Sequence, residues 1–260
     1  MQQKTFQWRT IPTRQFKEII SSLEDAKNKS TTAMIIASTG IGKSKSVDTF
    51  CAKNNKHTYR ITVSDLYKKE DILDELSEQL GITNRALTGM RIYTRSVKIR
   101  LDKIAAALVQ IKKEGGKPIV IFDEAENMKI TPLKMIKALY DAVKGSCAIT
   151  LIGTDQLLNK IYINKWKRNR DSVPQLYRRF KAGMKIITPI DKQIDYTAFF
   201  NEYKIPVGLQ KLLISLCDNY GDFQDYLEPA LIEAMEAGKP ITEDFFRIKY
   251  NLPKLSKTAA

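Results

Sequence analysis

Ala37-Ser38-Thr39-Gly40-Ile41-Gly42-Lys43-Ser44 sets small, flexible and cationic residues in an order suited to holding phosphate. Gly40 and Gly42 let backbone N–H groups converge on anionic oxygens, Lys43 can reach outer phosphates, and the Ser44 hydroxyl can hold Mg²⁺. Ala37 stands where such loops usually begin with glycine, a change that is tolerable if the position does not need positive φ. The candidate nucleotide-binding residues are Ser38, Thr39, Gly40, Ile41, Gly42, Lys43, Ser44 and Lys45, joined by Asp123.

Asp123, 80 residues after Lys43, and the adjacent Glu124 close the apolar run Ile119-Val120-Ile121-Phe122. A buried strand that ends in two acids needs a cation to justify the charge. Asp123 is the candidate for holding Mg²⁺ through its water shell, with Ser44 as the second metal-side residue. Glu124 is the candidate general base on an attacking water; its alternative role is to cap the next helix. A third apolar run, Ala148 to Gly153, ends in Thr154-Asp155. Thr154 is the better candidate for orienting water, since a further carboxylate beside triphosphate would be repelled; a plain helix cap is the alternative. In Gln175-Leu176-Tyr177-Arg178-Arg179-Phe180, an arginine can be offered to a neighbouring subunit's γ-phosphate. Arg179 is the first choice and Arg178 the second, against the alternative that both simply belong to a basic patch.

Periodicity gives the elements that must position these groups. Helical patterning covers residues 12–30, 64–80, 93–113 and 132–143; strand patterning covers 33–38, 57–63, 117–124, 147–153 and 184–190. Strands that alternate with helices imply an α/β fold with a parallel sheet covered on both faces. Beyond Pro189 the pattern is helical only, so we expect a nucleotide-binding domain over 1–189 and a small helical domain over 190–260.

The chain has 260 residues, 43% hydrophobic and 28% charged, which excludes a disordered tail, a collagen-like repeat and a disulfide-stapled miniprotein. No apolar run is long enough to cross a bilayer, and the N-terminal residues lack the apolar core of an export signal. Cys51, Cys147 and Cys217 read as reduced, buried thiols of a cytoplasmic protein, and a single histidine leaves little for Cys/His metal chemistry. The net charge of +14 is concentrated: residues 85–113 carry +7 and 159–185 carry +8, whereas 191–249 hold eleven acids against six bases. Two basic segments beside an acidic tail suggest a surface for a polyanion. With no base-reading or RNA-binding signature present, the economical partner is the backbone of double-stranded DNA. Lys68, Lys69, Arg85, Arg91, Thr94, Arg95 and Lys98 are the candidate contacts. Trp166 can stack on a base, anchor an interface or simply pack.

The segments 37–44, Asp123-Glu124-Ala125-Glu126-Asn127, Leu151 to Asp155 and Leu176 to Phe180 together resemble an AAA+ ATPase. More narrowly, Ile11 to Phe16 ahead of the first helix, Leu151 to Leu157 and a compact helical lid resemble the MuB and TnsC type, ATP-dependent target selectors of DNA transposition. The resemblance spans about residues 10–250. It implies a five-stranded sheet with a small helical lid, ATP and Mg²⁺ at the site, homo-oligomers (ring or helical filament) around duplex DNA, and contact with a transposase. Two departures stand out. Gln224 in Gly221-Asp222-Phe223-Gln224 occupies the place of the lid arginine that touches the γ-phosphate, and only some 30 residues precede the ATPase core. A helicase-loader or replication-initiator ATPase and a scaffold that holds ATP without turning it over are the competing readings.

Overall fold

The computed structural model describes residues 6–82, 96–165 and 172–253. Helix α1 (Arg14–Lys29) leads into β1 (Thr32–Ile36), followed by α2 (Lys43–Lys53), β2 (Thr58–Thr62), α3 (Lys69–Gln79), α4 (Val97–Lys113) and β3 (Ile119–Asp123). Next come α5 (Ile130–Val143), β4 (Ala148–Gly153), α6 (Asp155–Lys165), α7 (Ser172–Phe180) and β5 (Met184–Ile186). The five strands form one parallel sheet in the order β2-β3-β4-β1-β5. Every residue of β3 and β4 is buried, which is why their sequences are unbroken apolar runs rather than alternating ones.

This order determines what meets at the C-terminal edge of the sheet. β4 lies between β1 and β3, so the residues that leave these three strands emerge side by side. The chain leaves β1 and crosses to β2 at the far edge, the kind of connection that opens a ligand crevice beyond the strand ends. Thr154 therefore emerges next to β1, the strand that leads into residues 37–44, as its sequence position suggested.

β5 is shorter than its sequence pattern. Ile187 still donates to the Ile36 carbonyl at 2.8 Å. Beyond it, the Thr188 N–H and hydroxyl both donate to the Glu18 carboxylate, and Pro189 has no N–H to continue the ladder.

The described residues divide into two compact units. The larger comprises Glu18–Ser38 and Ser44–Thr188; its core packs Met34, Val120, Phe122 and Leu151 of the sheet with helical residues including Ile104 and Leu139. The smaller contains residues up to Lys17, the loop segment Thr39–Lys43 and the chain from Pro189 onward. Its C-terminal helices are α8 (Lys192–Asp195), α9 (Thr197–Tyr203), α10 (Val207–Leu216), α11 (Tyr220–Glu236) and α12 (Glu243–Lys249). Phe223 of α11 is its hub, with ring centroids 4.7 Å from Tyr196 and 5.1 Å from Phe199. Fully buried Gln15 is satisfied there by the Tyr220 hydroxyl, which donates to it at 2.7 Å, and by the Asp195 carboxylate, which accepts at 2.9 Å.

Candidate active site

Ala37 extends the ladder past β1: its N–H donates to the Gly153 carbonyl at 2.9 Å. A ladder residue needs no positive φ, which accounts for alanine at the start of the loop. Gly40 and Gly42 do need it, with φ of 72° and 89°, and α2 begins at Lys43 immediately afterwards. In the smaller unit the Gly40 carbonyl accepts from the N–H groups of Tyr220 (3.0 Å) and Gly221 (3.2 Å). Asn219 caps that same helix start through Oδ1, which accepts from Asp222 N at 3.0 Å. Ser38, Thr39, Ser44 and Lys45 are exposed, Gly40, Gly42 and Lys43 are half-buried and Ile41 is buried.

At the end of β3 the two carboxylates part company. Asp123 is 1% exposed, whereas Glu124 is exposed and adopts a left-handed backbone conformation with φ 53°. That conformation turns the Glu124 side chain out of the strand, and the Asn127 amide donates to its Oε2 at 3.3 Å. Asp123 Oδ1 accepts from the Glu124 N–H at 3.0 Å, and Oδ2 accepts from Arg60 Nη2 at 2.6 Å. Arg60 also donates through Nη1 to Asp48 Oδ1. Burial by itself would lower the guanidinium's proton affinity, but its hydrogen bonds to Asp123 and Asp48 overcome that and raise it above its ordinary value. The Arg60 main chain is clamped as well, its N–H donating to Gln79 Oε1 (3.1 Å) and its carbonyl accepting from Gln79 Nε2 (2.6 Å).

Thr154 is 8% exposed, and its Oγ1 is buried without a hydrogen-bond partner. A hydroxyl left unsatisfied at the C-terminal edge of the sheet is suited to a ligand or water there. Ser44 and Asp123 offer hard oxygen donors of the kind Mg²⁺ takes, alongside its own waters and phosphate oxygens. Among the described residues no group of three or more His, Cys, Asp or Glu side chains could enclose a metal.

Arg179 Nε donates to Asp141 Oδ1 at 2.7 Å, Nη1 donates to the Gln175 carbonyl, and the guanidinium lies 5.7 Å from the Tyr140 ring centre. Burial pushes the Asp141 carboxyl up, but hydrogen bonds from Lys137 and Arg179 outweigh it and hold the group below its ordinary value. Arg178 is exposed beside it. Gln224 is turned along α11 to Glu228, donating to Oε2 at 2.7 Å. Of the DNA candidates, Lys68 and Lys98 are exposed and Lys69 is half-buried, paired with Glu70 at 3.7 Å. Arg85, Arg91, Thr94, Arg95 and Trp166 lie outside the described residues. Cys147 and Cys217 are buried as expected, but Cys51 is only half-buried on α2, a correction that follows from its place on a short helix near the surface. Arg60 and Asn219 escaped the sequence reading. Register alone reveals Arg60: Thr62 pairs with Asp123, so Arg60, two residues earlier, shares the face of that carboxylate.

The family model described as an AAA domain matches residues 27–161, just over half of the chain. A segment of 155 residues is 23% identical to the Mu-like prophage FluMu DNA transposition protein B of Haemophilus influenzae, covering 58% of this chain and 47% of that protein. The chain thus spans about half the length of this relative. In three dimensions, a Walker-type ATPase of Pyrococcus abyssi matches 94% of this chain and 74% of its own, with a TM-score of 0.60 at 18% identity. The Drosophila ORC solved bound to DNA matches 90% of this chain and 59% of its own, with a TM-score of 0.50 at 13% identity. No helix among the described residues is long and apolar enough to cross a membrane.

Proposed function

Because the chain belongs to the AAA domain family, we propose that it hydrolyses ATP and uses the nucleotide to control its assembly on duplex DNA in the service of a transposase. The observation that carries the enzymatic half is the end of β3, where a buried Asp123 is followed by an exposed Glu124 turned out by its left-handed backbone. One carboxylate is thereby kept for a cation and its neighbour for a proton.

In this reading the N–H groups around Gly40 and Gly42 and the Lys43 ammonium bind the phosphates. Ser44 and Asp123 would hold Mg²⁺, which when bound neutralises charge on the phosphate oxygens. A Glu124 carboxylate oxygen accepts a proton from the attacking water, and Thr154 Oγ1, buried and without a partner, orients that water. Arg179, once released from Asp141, reaches a neighbouring subunit's nucleotide; exposed Arg178 is the alternative.

Similarity to a DNA transposition protein and the two basic segments support the DNA half. Lys68 and Lys98, both exposed, suit phosphate contacts that position without reading sequence. The fold shared with ORC favours a second reading, a replication-initiator or loader ATPase. The deciding experiment measures duplex binding by fluorescence anisotropy with ATP, ADP or no nucleotide, with Lys43→Ala as control, then adds a cognate transposase. ATP-dependent binding that stimulates strand transfer supports the first reading. ATP-dependent binding with stimulation of helicase loading and not of strand transfer supports the second. Binding indifferent to nucleotide and to Lys43→Ala overturns both.

A further inference from the structure

Asp123 is the residue on which a magnesium-dependent site at the end of β3 would rely, yet both of its oxygens are already engaged within the chain. The stronger partner is Arg60, a full positive charge 2.6 Å from Oδ2. It also grips Asp48, which lies on α2 one turn beyond Ser44. The three side chains form a line of alternating charge from α2 through β2 to β3. Their side-chain exposures rise from 2% at Asp123 through 24% at Arg60 to 58% at Asp48. Arg60 is held in place from behind by the two Gln79 hydrogen bonds to its main chain. Its Nε is buried with no partner, so the guanidinium is not fully satisfied by the two acids.

We propose that Arg60 is the resident counter-charge of Asp123 and sets how much Mg²⁺ the nucleotide site requires. The inference rests on the nucleotide reading given above. A cation beside the carboxylate cancels the field that attracts a divalent ion, and at a few ångströms that effect is large even in a partly hydrated site. Asp48 sets its strength, because it shares the same guanidinium and draws part of the positive charge away from Asp123. Arg60 is thus a positioning residue rather than a catalytic one. It keeps a buried acid paired and ordered without metal, and it raises the threshold at which metal and nucleotide enter.

The two neighbours of the guanidinium give opposite signs, which makes the idea testable. Binding of a fluorescent ATP analogue is followed while Mg²⁺ is titrated, and the half-saturating Mg²⁺ concentration is read for each protein. Arg60→Gln should lower it by roughly tenfold. Asp48→Asn should raise it severalfold, the double variant should match Arg60→Gln, and Arg60→Lys, which keeps the charge, should stay near the parent. An unchanged or higher Mg²⁺ requirement in folded Arg60→Gln overturns the proposal and leaves Arg60 as a brace. If Arg60→Gln does not fold, Asp48→Asn decides: its carboxylate is exposed and dispensable for the core, and an unchanged requirement overturns the proposal equally. Should the parent bind no nucleotide at any Mg²⁺ concentration, the nucleotide reading falls and this proposal with it. A parent that binds with Mg²⁺ while the variants respond alike rejects the role of Arg60 alone.

Discussion

Asn219 Oδ1 sits 2.1 Å from the point that a Cβ on Gly40 would occupy. The helix cap of α11 and the bend at Gly40 are therefore fitted to each other, with no room for a side chain at that glycine. Gly40→Ala should lower the melting temperature more than Gly42→Ala, because both suffer a positive φ but only Gly40 also meets Asn219. Asn219→Ala loses the bond from Asp222 N and should cost about 1 kcal/mol. Thermal denaturation of the three variants checks the order.

Glu124→Gln should bind ATP normally and turn it over at least about 100-fold more slowly, since an amide cannot take the proton. Steady-state phosphate release beside nucleotide binding separates the two effects. Hydrolysis at the parental rate would remove Glu124 from the catalytic assignment.

Much of this architecture was legible beforehand, and for identifiable reasons. The apolar runs of β3 and β4 read as buried strands, and the turn ahead of α2 reads directly because its backbone takes positive φ at Gly40 and Gly42. What sequence withheld depends on neighbours distant along the chain. Arg60 meets Asp123 across 63 residues, and the pairing of β2 with β3 that joins them follows from strand order rather than local pattern. The contact between Gly40 and Tyr220 spans the greater part of the chain and leaves no trace in either segment's composition. The tie of Arg179 to Asp141 was equally invisible, since an arginine in a basic stretch says nothing of an acid on another helix.

Asp141→Asn should release Arg179 and leave assembly-dependent ATP turnover intact, whereas Arg179→Ala should depress it. Mixing Arg179→Ala with Glu124→Gln protein should restore part of the turnover at interfaces with both intact residues. No recovery in demonstrated co-assemblies would move the role to Arg178, testable by the same mixture.

The same ion pair predicts an acid-side signature. The folded Asp141 carboxyl lies below its unfolded value, so its contribution to stability is present at neutral pH and lost as pH falls through and below about 4. The melting-temperature difference between the parent and Arg179→Ala should shrink over that interval. A difference constant down to acid pH would show that packing on Tyr140, not charge, accounts for the effect.

DNA affinity should fall steeply with salt, and each of Lys68→Ala and Lys98→Ala should reduce the slope of log affinity against log salt by about one if it contacts one phosphate. Scrambling the duplex should matter less than doubling the salt. Strong preference for one sequence at matched salt would point to base readout instead.

Thiol chemistry gives a check on the fold. Burial pushes Cys147 and Cys217 up to about 12, whereas Cys51, although raised as well, is half-exposed. Near neutral pH a maleimide should label Cys51 first, and mass spectrometry of the digested protein would reveal any other order.

The clamp of Gln79 on Arg60 has a meaning beyond the charge it steadies. Among the described residues β2 is the outermost strand of the sheet, and the Arg60 N–H and carbonyl are main-chain groups that a further strand would seek. One side-chain amide, donating and accepting like a peptide unit, occupies that place. Along this stretch the sheet ends in a partner drawn from its own helix α3, so a strand from another molecule finds the rung already taken.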